Sequence, residues 1–244
     1  MTPTRSTVLL PALFAAVVAP HAAWSASSNA PVDFDFLIGD ARSSIGLRYE
    51  GPNSAEFTVG TVNDSWSDSE RWDLYFRTAI FEMRHEPFFE ASIFFEDRAW
   101  SAVDSTSVTG SIDYETFGMA FTGGTTIHLL PNARSRRIHI GLTPWVRCGM
   151  GGMDIILRDV PYSSGTYLTG NVGTGRLDFG AGIDANLTLL NRIIVTLGVG
   201  VDYWTAANIT VIAGPSGGAV GISNATVDVN GHDVFSRVGF GIEF

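Results

Sequence analysis

The nine residues Ser236 to Phe244 alternate without a fault: Val238, Phe240, Ile242 and Phe244 fall on one face, and Arg237, Gly239, Gly241 and Glu243 on the other. A two-residue period belongs to a β-strand, whose successive side chains point to opposite sides of the sheet. Oily residues on one face and small or charged ones on the other suit a sheet that meets hydrocarbon outside and a polar lumen inside.

The same pattern recurs along the chain. A strand around Arg42–Glu50 is followed by the polar stretch Gly51–Glu70. Arg71–Arg84 then sets Trp72, Leu74, Phe76 and Ile80 against Arg71, Asp73, Tyr75 and Arg77. His85-Glu86-Pro87 reads as a turn. Phe88–Trp100 opposes Phe89, Ala91, Ile93 and Phe95 to Phe88, Glu90, Ser92, Phe94 and Glu96. Beyond the loop Ser101–Thr109, a strand runs from Gly110 toward Leu130, with Gly123-Gly124 as an expected kink. The turn Pro131–Arg136 leads to a strand from Arg137 to about Leu157, with Ile138, Ile140 and Leu142 opposite Arg137, His139 and Gly141. After the loop Arg158–Thr174, Gly175–Leu189 places Leu177, Phe179, Ala181 and Ile183 against Asp178, Gly180, Gly182 and Asp184. Leu190-Asn191 turns the chain into Arg192–Ala206, and the loop Ala207–Asp233 delivers it to the last strand.

These segments predict an all-β fold: an antiparallel up-and-down transmembrane β-barrel of eight strands, with four long loops on one side and three short turns on the other. Reading Glu56–Val62 as a separate strand paired with Arg42–Glu50 gives ten. Short turns inside and long loops outside is the asymmetry of outer-membrane barrels.

In its alternation and terminal Phe, the final strand resembles the closing strand of small bacterial outer-membrane β-barrels. The build is similar to the transmembrane domain of outer membrane protein A and its relatives. The resemblance implies that Val238, Phe240, Ile242 and Phe244 form the signal read by the barrel-assembly machinery, that the protein resides in the outer membrane of a Gram-negative cell envelope, and that its surroundings are outer-membrane lipids and lipopolysaccharide.

The other end of the sequence agrees. Arg5 precedes the apolar run Val8–Ala19, about a dozen residues, which suits a cleavable signal peptide and is too short for a membrane-spanning helix. Cleavage after Ser25 or after Ala30 is compatible with the small residues there. The organisation expected is a signal peptide over 1–25, a periplasmic segment over 26–41 and the barrel over 42–244. Past the signal no stretch approaches the apolar length of a membrane helix, because hydrophobicity is dispersed by alternation. All fifteen basic residues are arginine, against 25 acidic ones. That acidic balance argues against a nucleic-acid partner. The single cysteine, Cys148, rules out an internal disulfide framework and any multi-cysteine metal site.

The faces opposite the apolar ones bring to the lumen Arg71, Asp73, Arg77, Glu90, Glu96, Arg137, His139, Asp178, Asp184, Asp202, Arg237 and Glu243. Eight strands enclose an interior that side chains fill. Unpartnered charges there would cost several kcal/mol each, so the expectation is a salt-bridged polar plug. The alternative is a ring of charges lining a narrow channel.

Catalytic constellations are not visible. A lipid A deacylase of this architecture uses His-x-Ser, and His85, His128, His139 and His232 all lack the serine. No His-Ser-Asn grouping suggests a phospholipase. His232-Asp233 with Asp228 lacks the acidic pair of an aspartyl protease, and no cluster has metal-ligand spacing. The reading is therefore a structural or surface-recognition barrel acting through its external loops, without catalysis or cofactor; a monomer is favoured, although no residue pattern fixes the oligomeric state. The alternative is a narrow passive channel for small or hydrophobic molecules, in which Phe94, Phe117 and Phe121 on the lumen side would line the path. A secreted lipocalin-like binding barrel, with a polar outside, is a third class.

Overall fold

The computed structural model describes residues 42–66, 68–79, 85–104, 107–130, 138–163, 165–215 and 223–244. The expected signal peptide, the segment 26–41 and Arg137 lie outside the described residues. Eleven strands follow in order: β1 (Ser43–Val59), β2 (Val62–Ser65), β3 (Asp68–Ala79), β4 (His85–Asp104), β5 (Ser107–His128), β6 (Ile138–Ser163), β7 (Thr166–Leu189), β8 (Ile193–Ala206), β9 (Ile209–Gly214), β10 (Ser223–Val227) and β11 (Val229–Glu243).

Eight of them, β1, β3, β4, β5, β6, β7, β8 and β11, close into an antiparallel ring through the β1–β11 and β7–β8 pairings. Following paired residues once around the ring from Gly46 leads back to β1 at Phe57, eleven positions further on. One of those positions is the β-bulge between Pro52 and Ser54, leaving a stagger of ten. For eight strands that stagger tilts each one by roughly 40° to the barrel axis. The turn at Leu190-Asn191 is set by two left-handed residues, at φ 54° and 56°. The Arg192 N–H donates to the Leu189 carbonyl at 3.0 Å across this primed turn, and the strands pair from Leu189 opposite Ile193.

The ring is oily outside. Leu197, Phe95 and Phe240 are 60%, 58% and 54% exposed, whereas the charged residues Asp73, Glu90, Asp178 and Asp184 are fully buried within. Along β5 and β6 the two faces then exchange character. On the outer face Phe121, Met119 and Phe117 give way to Glu115 and Asp113; on the inner face Thr122 and Thr116 give way to Tyr114 and Ile112. On β6, Arg147 inside is followed by Met153, Ile155 and Leu157, while Met150 outside is followed by Asp154 and Arg158. The lower part is a membrane barrel, and the upper part has the polarity of a soluble one.

This exchange corrects the expected loops. Much of Gly51–Glu70, Ser101–Thr109, Arg158–Thr174 and Ala207–Asp233 is strand, extending the sheet above the membrane around a second core. Glu56–Val59 continues β1, and the short β2 folds back on it, so neither adds to the ring. β9 pairs with the upper part of β7, and β10 with β9. The core includes Phe57, Trp66, Trp100, Ile112, Ile155, Leu157, Leu168, Trp204, Ile209 and Val229. It is roofed where Thr61 donates a hydrogen bond to the Tyr162 carbonyl at 2.9 Å and Gly60 N–H to the Asp228 carbonyl at 3.1 Å. Polar residues dominate these segments because their outer face meets water, and the period-2 signal survives with its faces reversed.

Two further expectations change. Gly123-Gly124 makes no kink: the register runs through it unbroken, and Gly124 is required because a Cβ there would lie 2.8 Å from the Phe88 ring and 2.4 Å from the Pro144 carbonyl. Phe117 and Phe121 point out to lipid, at 54% and 37% exposure, and only Phe94 points in.

Val199 lies mid-belt and Thr210 on the polar outside of the extension. Val199→Arg is expected to cost about 2–4 kcal/mol and Thr210→Arg less than about 0.5 kcal/mol, measured by urea unfolding of protein folded into bilayers.

Candidate functional site

The lumen below the upper core is a continuous network of charge. At its base Arg42 pairs with Glu243 at 3.0 Å, the His128 ring lies 3.0 Å from Glu86, and the His139 ring shares a hydrogen bond with Asn191 at 2.6 Å. One layer up, Thr196 donates to Asn186, and Asn186 to Thr143 at 2.6 Å. Arg77 binds Glu90 at 2.9 Å, and Arg48 shares that carboxylate. Arg237 and the Trp145 indole N–H both donate to Asp184, the latter at 3.1 Å. In the middle Arg147 forks onto Glu50 at 2.7 and 2.9 Å and also reaches Asp202. Arg71 stands within 3.6 Å of Glu50, Glu96 and Asp202. At the top Arg176 binds Glu96 at 2.7 and 3.0 Å and Asp178 at 2.7 Å, while the Tyr114 hydroxyl donates to Glu96 at 2.8 Å. Arg98 bridges Glu96 and Asp233.

Each of the seven lumen arginines also lies against an aromatic ring: Arg48 on Tyr75, Arg71 on Phe94, Arg77 on Phe88, Arg98 on Tyr114, Arg147 on Phe235, Arg176 on Trp204 and Arg237 on Trp145, at 3.9 to 5.8 Å. A planar guanidinium binds carboxylates at its edge and stacks on rings with its face, so one side chain closes both gaps. Most of these rings in turn rest on bare backbone. Trp145 covers Gly182 and Gly200, where a Cβ would fall 2.4 and 2.9 Å from the indole, and Tyr75 covers Gly46 and Gly241. Large rings crossing a narrow barrel need neighbours without side chains.

Eleven of the twelve residues assigned to the lumen are described. Arg71, Asp73, Glu90, Glu96, His139, Asp178, Asp184, Asp202 and Arg237 are buried there, Arg77 is partly buried, and Glu243 lies at the turn-side rim. The structure adds Arg48, Glu50, Arg98, Arg147, Arg176 and Asp233. All six are in phase with the lumen residues of their own strands, so the alternation carried the signal. Of the terminal residues expected to direct assembly, Val238, Phe240, Ile242 and Phe244 are all exposed on the outer face, at 46 to 72%.

A closed ring with oil outside and paired charge inside is the transmembrane β-barrel of the outer-membrane type.

No protein-family profile matches the chain, and no curated protein matches it. Solved structures do. A major outer membrane protein from Thermus thermophilus aligns over 84% of this chain and 99% of its own, at 12% identity and a TM-score of 0.48. Ail, the attachment invasion locus protein of Yersinia pestis, aligns over the same shares at 13% identity and a TM-score of 0.39. OprG of Pseudomonas aeruginosa aligns over 84% and 95%, at 14% identity and a TM-score of 0.38. The matches also include the outer membrane enzyme PagL and the protease OmpT of Escherichia coli, each at a TM-score of 0.29.

Truncating one member of the network strands its partners. Arg147→Met, which takes from Glu50 and Asp202 the arginine hydrogen-bonded to both, is expected to lose about 3–5 kcal/mol in urea unfolding. Arg158→Met, which breaks the exposed pair with Asp113, should lose under about 1 kcal/mol.

Proposed function

We propose that the protein is a non-conducting, non-catalytic barrel of the outer membrane whose role is structural or recognitional, exerted by the strand extension above the bilayer. The observation that carries this reading is the double closure of the interior. The charged plug fills the membrane-embedded section, where Arg48, Glu50, Arg71, Glu96, Arg147 and Arg237 are at most 5% exposed, and the apolar core and its roof seal the section above. Water or solute would have to break charge-assisted hydrogen bonds in the first layer and open a packed core in the second. The lumen's titratable groups are engaged with one another, which supports a structural use of them. Among the described residues, no histidine is hydrogen-bonded to a serine.

The apolar belt sits among outer-membrane lipids and lipopolysaccharide, and the exposed Val238, Phe240, Ile242 and Phe244 are available to the assembly machinery. The extension presents a surface that tolerates variation because the core beneath it carries the fold.

Refolded protein in planar lipid bilayers should give no discrete current steps at voltages where a porin control conducts. Reproducible unitary steps would establish a channel instead. In cells the protein should fractionate with the outer membrane and resist extraction by carbonate.

A further inference from the structure

On the outer wall, two rows of paired residues run across four neighbouring strands at the upper edge of the belt. Glu70, Asp97, Glu115 and Asp154 lie directly opposite one another across β3, β4, β5 and β6. One step toward the membrane, two residues along each strand, the row reads Trp72, Phe95, Phe117, Gly152, and β7 continues it with Gly175. At Gly152 and Gly175 a Cβ would meet nothing within 4 Å, so the wall is recessed there. Below the glycines lies an apolar groove of about 750 Å³, walled by Ile93, Phe117, Met119, Met150 and Leu177. Above them is a second depression of about 700 Å³, bordered by the four carboxylates and by Trp72 and Phe95. Phe117 belongs to both.

The groove faces hydrocarbon, so what fills it is a chain of the surrounding lipid, and the head of that lipid meets the carboxylates. No arginine among the described residues pairs with any of the four: seven are inside the barrel, Arg42 and Arg192 are at the turn end, and Arg158 binds Asp113. An anionic head is repelled there. Carboxylates set one row beyond Trp72 and Phe95 are surroundings an ammonium favours, since aromatic rings attract a cation as well. A metal ion is disfavoured by geometry. Neighbouring strands hold the carboxylates in a line about 4.8 Å apart, so they diverge from any common centre. Among the described residues no group of three acidic, histidine or cysteine side chains is arranged to hold one.

We propose that this face is a lipid site: an amphiphile with an ammonium head lays one acyl chain over Gly152 and Gly175, its head held between Glu115, Asp154 and the Trp72–Phe95 rings.

Trp72 reports on the site. The full chain, refolded into phosphatidylcholine nanodiscs, is doped with one of three lipids bearing the same brominated chain: a trimethylammonium-propane, a phosphatidylcholine or a phosphatidylglycerol. The difference between wild type and Trp72→Phe isolates the quenching of Trp72. The ammonium probe is expected to reach half-quenching at about threefold lower mole fraction than the phosphatidylcholine probe. That advantage should vanish in Glu115→Gln/Asp154→Asn. It should also vanish in Gly152→Leu/Gly175→Leu, which fill the recess joining the groove to the carboxylates and leave the charge. Heat-shifted gel mobility verifies folding of each variant, and Glu70→Gln/Asp97→Asn replaces a pair that fails. Equal quenching by all three probes would overturn the proposal. So would an ammonium preference indifferent to the groove variants, which would mean charge attraction alone. A preference for the phosphatidylglycerol probe that needs calcium and disappears with EDTA would overturn it too, assigning the face to metal-bridged anionic lipid.

Discussion

In hydrocarbon no water is present to satisfy a free backbone N–H or C=O, and every other feature of this protein descends from that constraint. A sheet that crosses lipid must close on itself, and here β1 meets β11 to do so. Closure with eight strands leaves a lumen narrow enough to be filled and too narrow to hold much water. Half of every strand points into that space. The residues there must therefore pack like a protein interior while the residues outside behave like a solvent-exposed surface in oil.

The filling is ionic because alternation delivers polar side chains to the inside, and ions in a confined space are tolerated only when paired. Arginine meets this demand particularly well. Its fork takes two carboxylate oxygens, as Arg147 does with Glu50, and its face lies on Phe235. The rings find room because glycines on neighbouring strands leave the wall bare, as Gly182 and Gly200 do for Trp145. Carboxylate, guanidinium, ring and glycine thus form a repeated four-part unit across the barrel. Removing the carboxylate, guanidinium or ring leaves a buried charge or a void, and replacing the glycine drives a Cβ into the ring.

Above the bilayer the same strands obey the ordinary rule of soluble proteins, with Ile155 and Leu157 inside and Asp154 and Arg158 outside. One continuous strand serves both media by changing which face is oily, and the change marks where lipid ends. The level of that border is written on the outer surface by Trp72, Phe95 and Phe117 on one side and by Glu70, Asp97 and Glu115 on the other. The two halves together close the interior, and this directs attention to the outer surfaces for function.

Period-2 alternation, read from residues alone, determined the fold class, the eight-strand ring, the outward set Val238, Phe240, Ile242 and Phe244, and most of the lumen charges, because side-chain direction in a strand is a local property of the backbone. The same residues placed Phe94 in the lumen but did not reveal that Phe117 and Phe121 face lipid, nor that the polar stretches Gly51–Glu70 and Arg158–Thr174 extend the sheet, because the meaning of a face depends on the medium it meets. Which arginine pairs with which carboxylate, and that four acidic residues from four strands line up beside a glycine recess, were decided only by the register around the closed ring. Register is set by the stagger of the whole barrel, a non-local quantity that no single strand contains.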